Sequence, residues 1–331
     1  MPIIRSRNAC LRRLFPLLLF VLAATLSNIG NAQIARMEVL PFLSTTLTDQ
    51  DFLVGRKDGN QVTVAGELRI PRAGNDKLPA VVLLHGSGGI NSYVTDWEQD
   101  FLAMGVATFV VDSYSTRGIV STLNDQSQLG RLAQTEDAYR ALELLEKHPR
   151  IDPTRVMLVG FSRGGQAALY ASMKRFQSMH GPASGREFAA YIAFYPSCNT
   201  AYRDDDNITA HPVRIFHGSS DDYSLITACR AYADRVAAKG KDIRLTEYPG
   251  AQHSFDGQAF KPSMKLPQAQ TTRNCQLEEI ENGRILNSRT KQTFTYRDPC
   301  VELGPTLAYN QEASMRARAA VKELVETVLK P

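Results

Sequence analysis

Short apolar runs with little polar alternation recur along the chain: Ala80–Leu84 (AVVLL), Val106–Val111 (VATFVV), Val156–Val159 (VMLV), Ala189–Phe194 (AAYIAF), Val213–Phe216 (VRIF) and Ile243–Tyr248 (IRLTEY). Strands of this kind are covered on both faces, as in a parallel sheet between helical layers. Between them, Asp96–Met104, Gln134–Lys147, Gly164–Arg175 and Leu225–Lys239 carry apolar residues at helical spacing. In Gln134–Lys147, Ala138, Leu142 and Leu145 share one face while Glu136, Arg140, Glu143 and Lys147 take the other. Gln61–Ile70 (QVTVAGELRI) alternates instead and reads as a strand of an opening hairpin. Gln311–Leu329 is a closing helix. Strand and helix alternating this often predict an α/β fold, a doubly wound and mostly parallel sheet with an N-terminal antiparallel hairpin.

Two segments depart from that rhythm. Residues 1–32 join a basic start (Arg5, Arg7, Arg12, Arg13) to the apolar run Leu14–Leu26 and the small residues Gly30-Asn31-Ala32. This is the three-part build of a secretory signal peptide, cleaved after Ala32, and it leaves 33–331 as a single domain. Residues 256–310 are polar, contain four prolines and lack a long apolar run. A structureless loop of that length is unusual in a compact domain, so an excursion clipped by a disulfide is expected.

The leader changes the charge reading. It takes four of the 38 basic residues and none of the 34 acidic ones, so the remainder is formally neutral. Basicity therefore belongs to the leader and gives no support for a nucleic-acid or membrane-surface partner. Cys10 leaves with it, and Cys198, Cys229, Cys275 and Cys300 remain. Four cysteines in an exported chain point to two disulfides with three pairings open, the sequence-neighbour pairing being preferred. No metal-ligand spacing of the CxxC or HExxH kind occurs, and no metal or other cofactor is expected.

In an open parallel sheet, chemistry sits past the carboxyl ends of the strands. After Val156–Val159 comes Gly160-Phe161-Ser162-Arg163-Gly164, followed directly by helix-forming QAALYAS. This GxSxG in strand-to-helix context makes Ser162 the candidate nucleophile. A serine hydroxyl needs a base. Of six histidines, His148 and His211 precede prolines, His180 lies in a surface loop, and His85 and His217 each precede a glycine at a strand end. His253, on the loop past Ile243–Tyr248, fits a mobile base. The orienting acid belongs between serine and histidine, where HGSSDDYSL supplies Asp221 and Asp222. Asp221 is preferred, and Asp112 is the outside candidate. The oxyanion calls for two backbone donors, assigned to the N–H of Arg163 and that of Ser87 in HGSGG. Arg117, in DSYSTRG, is a candidate to face the acyl or acidic part of a substrate, with a structural salt bridge as its alternative role.

With Ser162, Asp221 and His253 in this order, the chain resembles the α/β-hydrolase superfamily and, within it, the dienelactone hydrolase-like family. The segments that carry the resemblance are VVLLHGSGG, VDSYSTRG, RIDPTRVMLVGFSRGGQAA, AFYPSC, FHGSSDDYSLITAC, YPGAQHSFD and YNQEASMRARAAV. The resemblance implies the α/β-hydrolase fold, hydrolysis of lactones and carboxylic esters, and no cofactor. It supports Asp221 as the acid, and it favours the pair Cys198–Cys229, leaving Cys275–Cys300. The elbow departs from the family's pattern, because dienelactone hydrolases use cysteine where this chain has Ser162. The expectation is an exported serine hydrolase acting on a small-molecule ester or lactone, periplasmic or secreted, with residues 256–310 as a rim or partial lid. A serine peptidase-like hydrolase and a non-catalytic binding protein on the same fold are the alternatives.

Overall fold

The computed structural model describes residues 34–330, so the expected leader lies outside the described residues. The chain enters through an antiparallel hairpin, β1 (Arg36–Thr46) and β2 (Asn60–Ile70), with the short helix α1 (Asp49–Leu53) in its connection. There follow β3 (Leu78–Leu84), α2 (Ser92–Ala103), β4 (Ala107–Asp112), α3 (Ala133–Glu146), β5 (Ile151–Phe161), α4 (Arg163–Tyr170) and α5 (Lys174–His180). The second half holds β6 (Ala190–Phe194), a two-residue strand β7 (Thr200–Ala201), β8 (Val213–Gly218), α6 (Ile226–Ala237), β9 (Ile243–Tyr248) and the closing helix α7 (Gln311–Val328). Eight of these strands form one sheet in the order β1-β2-β4-β3-β5-β6-β8-β9. The pairs β1–β2 and β2–β4 are antiparallel, and every pair from β4 onward is parallel. This is the doubly wound α/β sheet that the buried runs predict.

Alternate residues of the central strands feed two cores. Ala80, Val82 and Leu84 of β3 pack with α3, α4 and α6, while Val81 and Leu83 pack with α2 and α7. Two expectations about the helices change. The segment Gly164–Arg175 is not one helix: α4 ends at Tyr170 and α5 starts at Lys174. The Ser172 hydroxyl donates to the Leu169 carbonyl, and the Lys174 N–H turns outward to the Asn207 carbonyl, so the helical ladder stops between them. His180, expected in a surface loop, ends α5 and is buried, its ring stacked on Phe52 at 3.9 Å between centroids. Its Nδ1 lies 3.1 Å from Glu136, which brings one residue of the polar face of α3 into the interior.

Residues 256–310 form short ladders rather than an open loop. Met264–Lys265 pairs with Thr306–Leu307 and Gln270–Thr271 with Glu302–Leu303. Leu277–Glu279 joins Ile285–Asn287 and also extends β7. The Cys275–Cys300 disulfide closes this excursion, and Cys198–Cys229 ties the segment after β6 to α6.

The connection from β5 to α4 is a single residue, Ser162. A Cβ added at Gly160 would lie 1.9 Å from the Gly164 carbonyl oxygen, and one at Gly164 would lie 2.4 Å from the Leu84 carbonyl oxygen. Both contacts are with backbone, which cannot rotate away. Gly160→Ala is therefore expected to destabilise the protein by about 3 kcal/mol. The check is a lower urea midpoint at an unchanged slope.

Candidate active site

Ser162 occupies the turn that these glycines permit, at φ 54° and ψ −112°. A left-handed backbone at a residue with a Cβ costs about 1–3 kcal/mol. Here the surroundings hold it: the Ser162 N–H donates to the Phe194 carbonyl at 2.9 Å, and its own carbonyl accepts from Gln166 at 2.8 Å. The turn lifts the hydroxyl above the carboxyl edge of the sheet. Behind it, α4 begins at Arg163, whose N–H is one of the donors a helix leaves without an internal acceptor.

His253 reaches Ser162 from the loop after β9. Its Nε2 lies 2.9 Å from Ser162 Oγ and its Nδ1 lies 2.8 Å from Asp221 Oδ2. Asp221 sits just past β8 and is buried; its other oxygen accepts the N–H groups of Tyr223 and Ser224 at 2.8 and 2.9 Å. The buried His217, whose Nε2 lies 3.2 Å from Asp221 Oδ2, is 2.7 Å from the Ser224 carbonyl as well. Burial alone pushes the Asp221 carboxyl up, but attraction to His253 and hydrogen bonds from both histidines outweigh it, so it stays ionised well below the usual carboxylate range. An acceptor held ionised on Nδ1 keeps the proton there and leaves Nε2 free to face the hydroxyl.

The remaining candidates divide. Asp222 turns away from His253: its carboxylate accepts the Thr306 N–H at 2.7 Å and lies 3.0 Å from the Thr306 hydroxyl, binding the excursion. Asp112 accepts the N–H groups of Tyr114 and Ser115 at 3.0 Å each, a turn role. Ser87 and Arg163 line one cavity with Ser162, and among the described residues no acceptor meets the Ser87 N–H. Arg117 does not join them. Its guanidinium grips the buried Asp137 through two contacts of 2.8 and 2.9 Å, donates to Thr46 and the Ser113 carbonyl, and borders a different recess. Arg117 as a substrate contact is thus replaced by its alternative, a buried salt bridge.

The cavity at Ser162 measures about 50 Å³, room for a few waters or a short acyl group. A larger, open groove of about 900 Å³ runs between α6 and residues 273–289. It meets the Ser162 cavity at Ser197 and Ser224, but Ser162, Ser87 and Arg163 line only the smaller space, so the chemistry belongs there. The excursion walls that cavity with Gln270, Thr271, Thr272 and Tyr296. It also holds the loops beneath, through Thr271 Oγ1 to the Tyr223 carbonyl and the Ala308 N–H to the His253 carbonyl.

Several site residues were not singled out from the sequence. Gln126 lies 2.7 Å from an Arg163 guanidinium nitrogen, 3.1 Å from Ser87 Oγ and 3.4 Å from the Tyr223 hydroxyl. Arg131, also buried, donates to Asn199 Oδ1 at 3.1 Å through Nη2, while its Nη1 is buried without a partner among the described residues. The buried Gln166 Nε2 is likewise unpartnered. No local motif marks Gln126 or Arg131. His217 carried a signal, since its His-Gly mirrors His85-Gly86 at another strand end.

Comparison with known proteins agrees with this architecture. The model of the dienelactone hydrolase family matches residues 64–275. The chain belongs to the dienelactone hydrolase family. A curated Bradyrhizobium relative, "Probable 2-oxo-3-(5-oxofuran-2-ylidene)propanoate lactonase", is 26% identical over 200 residues, covering 54% of this chain and 74% of its own. Among solved structures, "m3DLH" superposes with a TM-score of 0.57 at 20% identity, over 88% of this chain and 99% of that one. A dienelactone hydrolase-like promiscuous phosphotriesterase, P91, from metagenomic libraries gives 0.53 at 16% identity, over 88% and 98%. At such identities the structural likeness speaks for the fold.

Losing Arg117 would leave Asp137 charged, buried and unpaired. Arg117→Ala is expected to lower stability by about 3–5 kcal/mol. The comparison is a thermal melt beside a KM measurement: the melting temperature falls while KM of the folded fraction stays put.

Proposed function

We propose that this protein is an exported serine hydrolase that cleaves short-chain carboxylic esters or lactones through an acyl-enzyme. The observation that carries the reading is the doubly held imidazole of His253, 2.8 Å from Asp221 and 2.9 Å from Ser162. In this mechanism Ser162 Oγ attacks the carbonyl carbon as His253 Nε2 takes its proton. Asp221 keeps the imidazole oriented and balances the imidazolium. The oxyanion lies between the N–H groups of Ser87 and Arg163, the latter at the positive end of α4. The tetrahedral intermediate collapses, His253 hands the proton to the leaving alkoxide, and the alcohol departs. Water, deprotonated by the same nitrogen, then releases the acid and restores the serine. The two disulfides accord with export to an oxidising compartment, and among the described residues no helix is long and apolar enough to cross a membrane.

The acyl side of the cavity is small and polar. Arg131 and Gln166 line it, and each keeps one buried donor, Nη1 and Nε2, without a partner among the described residues, so an acyl group with oxygen acceptors, above all a carboxylate, suits it better than an alkyl chain. The relative's described substrate, a propanoate lactone, has that chemistry.

Ser162→Ala is expected to cut hydrolysis of p-nitrophenyl acetate by at least about 10⁴-fold. It should also abolish labelling by a fluorophosphonate probe while the melting temperature is kept; wild-type rates in the folded variant would remove the assignment. Arg131→Met is expected to lower kcat/KM for phenyl hemisuccinate about 10- to 100-fold with little change for phenyl acetate. Equal losses on both esters would count against a carboxylate subsite.

A further inference from the structure

His253 lies between two phenol rings. The Tyr223 ring is 4.7 Å away at a tilt of 44°, and the Tyr195 ring is 4.6 Å away at 56°. The tyrosines are anchored differently. The Tyr223 hydroxyl lies beside Gln126, on the cavity side. The Tyr195 hydroxyl points into the interior and donates to Asp256 Oδ1 at 2.8 Å, while Asp256 Oδ2 accepts the Trp97 indole N–H at 2.7 Å.

Asp256 is 0% exposed, and among the described residues it forms no salt bridge. Arg318 comes nearest in kind, but it covers the Trp97 ring at 4.6 Å and pairs with Asp100. A buried carboxylate without a counter-ion costs several kcal/mol, which an apolar residue of similar volume would avoid. Burial pushes the Asp256 carboxyl up overall, and the hydrogen bonds from Trp97 and Tyr195, one to each oxygen, oppose that in part and favour its ionised form. The backbone around the contact is also under constraint: Tyr195 has φ 39° and Ser254 has φ 57°. Fold stability therefore does not account for this carboxylate. Its path to the site does, since Tyr195 is the group between it and His253.

We propose that Asp256 is a positioning residue for His253 that acts through Tyr195. By accepting the Tyr195 hydrogen bond, the carboxylate holds the phenol ring beside the imidazole, 4.6 Å between centroids, and enriches its π-electrons. Its negative charge lies behind that ring. Both effects favour the imidazolium that forms when Ser162 is deprotonated. The proposal rests on His253 as the base. The groups around the imidazole are Asp221, Ser162, Tyr195 and Tyr223, with His217 behind Asp221. Around Asp256 stand Trp97, Tyr195, Tyr93 and Tyr248, with Arg318 beyond the indole and Arg316 over the Tyr248 ring. Removing one negative charge from this set makes the imidazolium harder to form, so the imidazole loses its proton at lower pH.

The test uses Asp256→Asn, Tyr195→Phe and the double variant of the full chain, followed by histidine NMR titration and by kcat/KM against pH. In Asp256→Asn the His253 resonance and the acid limb should both move about half a pH unit or more to lower pH. With them kcat should fall about tenfold, part of what a general base supplies, while KM stays within about twofold. Tyr195→Phe keeps the ring but cuts the link, so it should shift in the same direction. The double variant should be no worse than the more affected single one. An unmoved His253 titration, additive losses, or a lower melting temperature with kcat intact would each overturn the proposal. If Asp256→Asn fails to fold, Tyr195→Phe, which loses one oxygen atom, decides alone. The NMR titration does not depend on Ser162 being the nucleophile. A folded Ser162→Ala that still hydrolyses esters overturns the parent reading, whereas an unmoved resonance overturns this one.

Discussion

The site depends on one backbone constraint, the left-handed turn at Ser162 between β5 and α4. Because Gly160 and Gly164 meet backbone to backbone, strand and helix join with a single residue between them. That closeness puts a hydroxyl above the sheet edge and the first N–H groups of α4 behind it. The strain is countered by ordinary hydrogen bonds to Phe194 and Gln166, so the nucleophile position costs the fold little beyond the requirement for glycine.

Around this turn the structure uses buried polar contacts to hold the loops in place. The Arg163 guanidinium donates to Gln126 and to the carbonyls of Leu129 and Gly130, linking the elbow to the segment before α3. Asp221 is held by two backbone N–H groups and two imidazoles. Each such group would be expensive to bury alone, and each is paired with another part of the same site, although Arg163 Nε and His217 Nδ1 are left without a partner among the described residues. Arg117 and Asp137 apply the same rule farther out, where a paired charge braces β1 against α3 instead of meeting substrate.

The excursion turns two loops into one assembly. Through Asp222 and Thr306, Thr271 and Tyr223, and Ala308 and His253, it is tied to both the acid turn and the histidine loop. It also contributes four side chains to the cavity wall. The Cys275–Cys300 bridge therefore closes a segment that lines the Ser162 cavity.

The amino-acid sequence by itself determined the parts of this protein governed by local rules. Buried runs without alternation read as sheet-core strands, and GxSxG after one of them as a tight strand-to-helix turn. The chain order of Ser162, Asp221 and His253, each past a strand end, followed from the same reading. Other features depended on which distant side chain arrives first. Arg117 and Arg131 look alike in sequence, yet Asp137 pairs with Arg117, while Arg131 lines the Ser162 cavity with Nη1 unpartnered among the described residues. His180 is buried because α5 carries it onto Phe52, and Gln126 enters the site from a loop with no signature. Asp221 and Asp222 are adjacent, and only packing turned one toward His253 and the other toward Thr306. Periodicity and turn chemistry act over a few residues, whereas the pairing of buried charges is settled by contacts made across the whole fold.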